Sequence, residues 1–190
     1  MSGIRQPPEE RPKAPKRAPA SSLVLVNTGE GKGKTTAAMG ILLRAVARGW
    51  KACVFQFVKS GRWRVGEEKV ARELGVEWWS MGDGFTWDSE DMARSAALAR
   101  VAWEAARDKI GSGDYELVVL DEITYPMNWG WIPAEEVGEA IRTRPGHVNV
   151  VATGRDAPAE LLAVADTVTE MHKVRHAYDR GVRARRGIDF

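Results

Sequence analysis

Short apolar runs alternate along the chain with longer segments of helical character. The runs that are typical of buried strands are residues 23–26, 52–58, 76–80, 117–120, 148–152 and 167–171. The segments with helical composition or period are residues 35–48, 65–74, 92–110, 133–141 and 158–164. A strand that is apolar throughout, rather than at alternate positions, is typical of a parallel sheet covered on both faces. The pattern therefore predicts an α/β domain of three layers with a mostly parallel sheet.

Two core residues can be predicted from this pattern. In segment 92–110 the apolar positions 92, 96, 99, 103, 106 and 110 follow one another by three or four residues, which is the period of one helix face. We therefore expect Trp103 to lie in the core. Cys53 lies inside a predicted buried strand and is the single cysteine of the chain. It is expected to be an inert core residue, because it has no partner for an internal disulfide.

The first 21 residues differ in composition from the rest of the 190-residue chain. They hold five of its nine prolines and almost no large apolar side chains. Such a segment cannot bury enough apolar surface to fold alone. We therefore expect residues 1–21 to form a flexible, basic N-terminal arm and residues 22–190 to form a single domain.

The formal net charge of +2 conceals two basic ends. Residues 1–20 carry five basic and two acidic side chains and residues 171–190 carry six and two, so the stretch between them has an acidic excess. We expect no nucleic-acid partner, because the body of the chain offers no basic stripe. Basic ends can instead attract an anionic small molecule such as a polyphosphate.

The hydropathy pattern also bears on location. No apolar run approaches the roughly 18–20 residues that a membrane span needs, and the start of the chain lacks the apolar stretch of a secretion signal. We therefore expect a cytoplasmic protein without membrane contact.

One segment has the composition of a phosphate-binding loop. It follows a predicted strand, opens a predicted helix and consists of Asn27, Thr28, Gly29, Glu30, Gly31, Lys32, Gly33, Lys34, Thr35 and Thr36. Glycines let successive backbone N–H groups turn toward an anion, and the following helix adds the partial positive charge of its N-terminus. Lys34 is expected to neutralise phosphate oxygens, and Thr35 to offer its hydroxyl to Mg²⁺. The loop departs from the common pattern at Thr28, where that pattern has glycine.

A second strand supplies carboxylates for the same site. Residues 118–120 are apolar and are followed directly by Asp121 and Glu122. In phosphate-loop proteins an acid at the end of such a strand holds Mg²⁺, directly or through water. We therefore expect a metal site formed by Thr35, Asp121 and Glu122. The two motifs together predict a nucleotide-binding domain of the P-loop NTPase type, RecA-like in architecture.

These motifs do not determine which bond of the nucleotide is broken, because one fold hosts many reactions. One alternative is an ATPase or small-molecule kinase that acts at the γ-phosphate. Another is a non-catalytic regulator that binds ATP without turnover.

Further segments make the chain resemble the P-loop class of corrinoid adenosyltransferases. The resemblance starts at residues 31–38, which read Gly-Lys-Gly-Lys-Thr-Thr-Ala-Ala, and covers about residues 22–190. Its other ordered blocks are residues 56–59, 81–87, 120–123, 153–158, 165–170 and 181–189. The resemblance implies transfer of the 5′-deoxyadenosyl group of ATP to the cobalt of a reduced Co(I) corrinoid. Triphosphate would be released, in adenosylcobalamin biosynthesis or salvage.

The resemblance also implies roles for individual residues. Positive charge around the departing triphosphate would come from Lys32, Lys34 and Arg155, with residues 27–36 and Arg155 binding the nucleotide. Phe85 and Trp87 correspond to aromatic residues that displace the lower axial ligand of cobalt, which eases the reduction of Co(II) to Co(I). Besides ATP, Mg²⁺ and corrinoid, the resemblance implies a reductase partner and a homodimer. It also implies that the arm can order over the corrinoid site.

Overall fold

The computed structural model describes residues 18–60, 66–82 and 92–189. Six strands are present in this part of the chain: β1 (Val24–Thr28), β2 (Ala52–Ser60), β3 (Glu77–Gly82), β4 (Leu117–Asp121), β5 (Asn149–Thr153) and β6 (Thr167–Glu170). The helices are α1 (Lys34–Ala47), α2 (Gly66–Glu73), α3 (Met92–Ser112), α4 (Thr124–Asn128), α5 (Ala134–Arg142) and α6 (Ala159–Leu162), followed by a 3₁₀ turn at Tyr178–Arg180.

The strands form one sheet in the order β3-β2-β4-β5-β1-β6, and neighbouring strands are parallel. Strand β5 lies between β1, which leads into the phosphate loop, and β4, which ends in the carboxylates. The register pairs Gln56 with Asp121, and Asn27 with Thr153. Because all strands run the same way, their last residues meet at one edge of the sheet. This edge carries polar side chains, whereas the strands behind it are apolar.

Helices cover both faces of the sheet and create two cores. Helices α1 and α2 pack on one face, against residues such as Val54, Val119 and Val151. Helices α3, α5 and α6 pack on the other face, against residues such as Phe55, Val118 and Val150. Neighbouring strand residues thus point to opposite faces and are buried on both. This explains why the strand segments are apolar without alternation, and it confirms the prediction of a three-layer α/β domain with a parallel sheet.

The predicted elements are confirmed within a few residues, with two additions. Helix α4 and the 3₁₀ turn were not expected, and α6 is shorter than the predicted segment 158–164. The segment 81–87 was predicted to be irregular, but its first two residues, Met81 and Gly82, belong to β3. Residues 83–87 and nearly all of the N-terminal arm lie outside the described residues. Within the described part, none of the helices combines the length and the apolar character needed to cross a bilayer.

The two predicted core residues are buried. Trp103 is fully buried on α3 and Cys53 is fully buried on β2. Burial raises the pKa of the Cys53 thiol to about 12, so the reactive thiolate does not form at neutral pH. Both predictions are confirmed.

Candidate nucleotide-binding site

The glycine-rich segment forms a tight loop between β1 and α1. Gly33 adopts a left-handed conformation with φ of 108°, and α1 begins at the next residue, Lys34. A residue with a Cβ is strained in this conformation, which explains the glycine. The loop lies at the carboxyl edge of the sheet and is followed by the N-terminus of a 14-residue helix. This is the strand–loop–helix geometry that places backbone N–H groups around an anion.

The side chain of Lys34 lies within the loop. Its Nζ donates hydrogen bonds to the carbonyl oxygens of Gly29, at 2.6 Å, and Gly31, at 2.7 Å. Burial, followed by the nearby charge of Arg155, lowers the pKa of Lys34, and the charges of Glu30, Glu122 and Asp121 oppose this shift. The ammonium is thus held at the centre of the loop.

Thr35 and Asp121, which the two motifs predict to share a metal site, are hydrogen-bonded to each other. The hydroxyl of Thr35 donates to Oδ1 of Asp121 at 2.8 Å. Asp121 is fully buried and also accepts from Gln56 Nε2 at 2.9 Å and from the hydroxyl of Thr153 at 2.7 Å. Because the Thr35 hydroxyl uses its proton toward Asp121, its oxygen lone pairs are available to a cation. The hydrogen bond to Asp121 therefore fixes the orientation of the Thr35 hydroxyl.

Two loop glycines are required for a second reason, which is close contact with the chain that follows β6. The N–H of Gly31 donates to the carbonyl oxygen of Met171 at 2.5 Å. A Cβ atom on Gly29 or on Gly31 would lie 2.6 Å from the same oxygen. The sequence explains these glycines by anion binding alone, but the structure shows that they also let the chain at Met171 pack against the loop.

Arg155 follows β5 and faces the loop across the pocket. Its Nε lies 3.5 Å from Oε2 of Glu30. The backbone carbonyl of Arg155 accepts hydrogen bonds from the Thr124 hydroxyl at 2.6 Å and from Asn128 Nδ2 at 3.3 Å. Gly154 lies so close to the Thr124 hydroxyl that no Cβ could be accommodated there. Helix α4 thereby fixes the backbone that carries Arg155.

The loop opens into a pocket of about 230 Å³. Its lining comprises Glu30, Gly31, Lys32, Gly33, Lys34, Thr35, Thr36, Glu67, Glu122, Tyr125, Arg155, His176, Ile188 and Asp189. The lining thus combines the loop with three cationic side chains, four carboxylates and two aromatic rings, those of Tyr125 and His176. Burial raises the pKa of the Tyr125 hydroxyl, although the charge of Arg155 opposes this shift, so the ring is neutral at pH 7.

Most of the residues that the sequence predicts for the site line this pocket. Four of the described ones do not. Gly29 contributes its carbonyl oxygen to Lys34 Nζ. The side chains of Asp121, of Asn27, whose Nδ2 donates to Lys34 O at 3.4 Å, and of Thr28, whose hydroxyl accepts from Ala157 N at 3.2 Å, support the loop and its neighbours. Phe85 and Trp87 lie outside the described residues.

Sequence reasoning did not assign roles to Gln56, Thr153, Thr124, Tyr125 or Asp189. A usable signal existed for Gln56 and Thr153, because each is a polar residue at or near the carboxyl end of an apolar strand. Tyr125 follows the strand-end carboxylates by three residues, but this spacing has no particular chemical meaning. Asp189 gives no local signal, because its contact with the loop joins distant parts of the chain.

Comparison with known proteins agrees with this geometry. Residues 20–190 match the family described as ATP:corrinoid adenosyltransferase BtuR/CobO/CobP. The chain is 42% identical over 168 residues to a corrinoid adenosyltransferase of Escherichia coli K12, covering 88% of this chain and 85% of that protein. The same figures hold for the corrinoid adenosyltransferase CobA of Salmonella typhimurium. A corrinoid adenosyltransferase of Pseudomonas aeruginosa is 40% identical over 170 residues, with 88% and 83% covered. The phosphate loop, its buried carboxylate and a match over nearly the whole domain together establish that this chain belongs to the family of ATP:corrinoid adenosyltransferases.

Proposed function

We propose that the chain transfers the 5′-deoxyadenosyl group of ATP to the cobalt of a reduced corrinoid and releases triphosphate. The observation that carries this proposal is the pocket formed by the phosphate loop, which is lined by the side chains of Lys32, Lys34 and Arg155. The chain that contains this pocket belongs to the adenosyltransferase family. The pocket supplies cationic groups and backbone donors where a polyphosphate would lie.

The reaction requires no proton transfer at the attacking atom. The Co(I) centre of the substrate donates an electron pair to C5′ of the ribose, and a cobalt–carbon bond forms. The C5′–O5′ bond breaks, and its electron pair leaves on the oxygen of the triphosphate. The protein therefore needs no general base. It needs groups that hold C5′ open to attack and stabilise the charge that gathers on the leaving group.

Lys34, Lys32 and Arg155 are suited to that second task. Lys34 is already within the loop, where its Nζ could exchange the carbonyls of Gly29 and Gly31 for phosphate oxygens. The backbone of Arg155 is held by hydrogen bonds from the side chains of Thr124 and Asn128 on α4, and its guanidinium can approach the phosphates from the opposite wall. Electrostatic stabilisation by such fixed donors is commonly the largest single contribution to catalysis.

The residues around Thr35 fit a magnesium ion. The hydroxyl oxygen of Thr35 is oriented by Asp121, and Glu122 lines the pocket beside it. Mg²⁺ typically takes one or two protein oxygens and completes its shell with phosphate oxygens and water. We propose that Thr35 binds the ion directly. Asp121 and Glu122 are proposed to hold it either directly or through water. A bound Mg²⁺ would add positive charge at the leaving triphosphate.

Phe85 and Trp87 are proposed to exclude the lower axial ligand from cobalt, on the family resemblance alone. A four-coordinate Co(II) accepts an electron more readily, because the loss of an axial donor lowers the energy of the receiving orbital. Trp87→Ala should therefore impair adenosylation that starts from Co(II) corrinoid and a reductant. It should affect chemically prepared Co(I) corrinoid much less, and equal losses in the two assays would remove Trp87 from this role.

The partners follow from the same proposal. A Co(I) substrate requires a reductase, and we propose a homodimer, as the family resemblance implies. We propose a cytoplasmic location on the hydropathy pattern of the sequence. The N-terminal arm is proposed to order over the corrinoid.

Product analysis tests the proposed reaction. The protein is incubated anaerobically with Mg·ATP, with and without Co(I) cobalamin, and the phosphorus-containing products are identified. We expect triphosphate that depends on corrinoid, together with a light-sensitive alkyl–cobalt spectrum. ADP and phosphate formed without corrinoid would instead indicate an enzyme that acts at the γ-phosphate.

A further inference from the structure

The chain that follows β6 folds back across the phosphate loop. This segment, residues 171–189, is mostly exposed and strongly basic. It contacts the loop at both of its ends. At the first end Gly31 N donates to Met171 O, and Met171 N donates to Thr28 O at 2.8 Å. At the other end Asp189 forms an ion pair with Lys32.

Asp189 is presented to the loop by a closed turn. Its backbone N–H donates to Arg185 O at 2.8 Å, and Ile188 N donates to the same oxygen at 3.1 Å. In return, Oδ2 of Asp189 accepts from Arg185 N at 2.7 Å. The other carboxylate oxygen, Oδ1, pairs with Nζ of Lys32. The turn therefore fixes one oxygen and directs the second to a loop lysine.

This carboxylate lies within the nucleotide pocket. Asp189, Ile188 and His176 line the pocket together with Lys32 and Lys34. The turn around Asp189 thus forms part of the wall of this pocket, and it places a negative charge beside the path of a polyanion.

We propose that Asp189 is an internal stand-in for a phosphate group. Without nucleotide it neutralises Lys32, and on binding it yields Lys32 to a phosphate oxygen, so that residues 180–189 move away from the loop while Met171 stays bonded to it. This inference rests on the nucleotide site of the proposed function. The pair suits such an exchange, because the Lys32 side chain is 53% and that of Asp189 25% exposed, and ion pairs open to solvent are weak.

Nucleotide affinity gives the first test. Asp189→Asn removes the competing charge but keeps the shape of the side chain. We expect Asp189→Asn to bind Mg·ATP and inorganic triphosphate about two- to fivefold more tightly than the unaltered chain, the factor set by one exposed ion pair. The matched control is Asp179→Asn in the same segment, because Asp179 pairs with Lys173, at 3.2 Å, and not with the loop. This control should leave both affinities unchanged.

Limited trypsin digestion gives the second test, since Arg180, Arg183, Arg185 and Arg186 all lie in this segment and are exposed. Cleavage after these residues is followed by mass spectrometry. In the unaltered chain it should accelerate when triphosphate is added. In Asp189→Asn it should be fast with or without triphosphate.

The possible results separate this proposal from the proposed function. If the unaltered chain binds triphosphate but Asp189→Asn binds it equally or more weakly, the exchange is wrong and the enzyme assignment stands. Slower cleavage on adding triphosphate would also overturn it, because the segment would then close rather than open. If the unaltered chain binds neither ATP nor triphosphate, both proposals fail.

Discussion

Gly31 shows how one residue can serve both the loop and the rest of the chain. Its N–H donates a hydrogen bond to Met171 O. The backbone of Met171 lies so close to Gly31 that it leaves no room for a Cβ atom. The motif alone explains glycine here by the turn toward an anion. The contact with Met171 adds a steric reason that the motif does not contain.

We therefore predict that Gly31→Ala destabilises the fold and weakens ATP binding. The added Cβ would meet Met171 O at 2.6 Å and Met171 C at 2.7 Å, and both are backbone atoms that cannot rotate away. Overpacking of this kind costs about 1–3 kcal/mol. Urea unfolding gives the free energy of unfolding, and ATP titration gives the affinity.

Gly40 offers a matched control on the neighbouring helix. No heavy atom lies within 4 Å of a Cβ built there, and the residue is inside α1. Gly40→Ala should stabilise the fold by up to about 1 kcal/mol, because alanine favours a helix interior. A Gly31→Ala variant as stable as Gly40→Ala would contradict the steric account.

At the same scale, the sequence predicts that Thr35 and Asp121 lie close together at one metal site, and the structure shows them hydrogen-bonded to each other. That Asp121 also accepts from Gln56 and Thr153 could not be predicted, because this depends on the order and register of three strands. Local patterns predict strands but not which strands are neighbours.

Helices α3 and α5 are joined by a cluster outside the nucleotide pocket, in which three side chains of α3 donate hydrogen bonds to one carboxylate of α5. Glu136 on α5 accepts hydrogen bonds from Trp103 Nε1 at 2.7 Å, Arg100 at 3.1 Å and Arg107 at 3.2 Å. Burial tends to raise the pKa of Glu136, but the hydrogen bonds from Trp103 and Arg100 and the charges of Arg100 and Arg107 outweigh it, so the pKa is lowered. The charged form therefore stabilises the folded state.

We predict that Glu136→Gln lowers the free energy of unfolding by about 1–2 kcal/mol at pH 7. Because the folded-state pKa is depressed, this contribution is complete above the ordinary glutamate pKa of about 4.3. It is lost as the pH falls through the lower folded-state value. The stability difference between the two proteins should thus shrink in acid, as followed by urea unfolding at several pH values.

Glu139 on the same helix provides the control. It is 59% exposed and pairs with Arg142 one turn away. Glu139→Gln should change the free energy of unfolding by less than about 0.5 kcal/mol. A Glu136→Gln effect of the same size, or one that persists unchanged in acid, would contradict the role given to the cluster.

Whole elements were predictable where they are long or fully apolar. Helix α4 was not, because it has five residues and contains Pro126, and proline inside a segment argues against a helix. Pro126 is the third residue of α4. Its missing N–H therefore falls in the first turn, where helical N–H groups lack internal partners. A helix this short has no measurable period, although it fixes Arg155.

For the whole molecule, the sequence predicts the layers and one edge of the sheet as the site. It does not predict that residues 171–189 return to the phosphate loop, since Lys32 and Asp189 are far apart in the chain and Asp189 looks like an ordinary solvated charge. The sequence shows that the segment is basic. It does not show which of the two carboxylates in the segment, Asp179 or Asp189, contacts the loop. Long-range ion pairs are fixed by the folded path of the chain, which local patterns do not encode.

The central claim is that this domain breaks the C5′–O5′ bond of ATP, and isotopic labelling tests it most directly. The substrate is ATP that carries ¹⁸O at the oxygen bridging C5′ and the α-phosphorus. It is incubated anaerobically with Co(I) cobalamin and the protein, and the masses of the products are determined by mass spectrometry. The account predicts that all of the label leaves with triphosphate and that none remains in the adenosylated corrinoid. Label retained in a nucleoside-bearing product such as ADP would contradict it, because the bond broken would then lie at phosphorus.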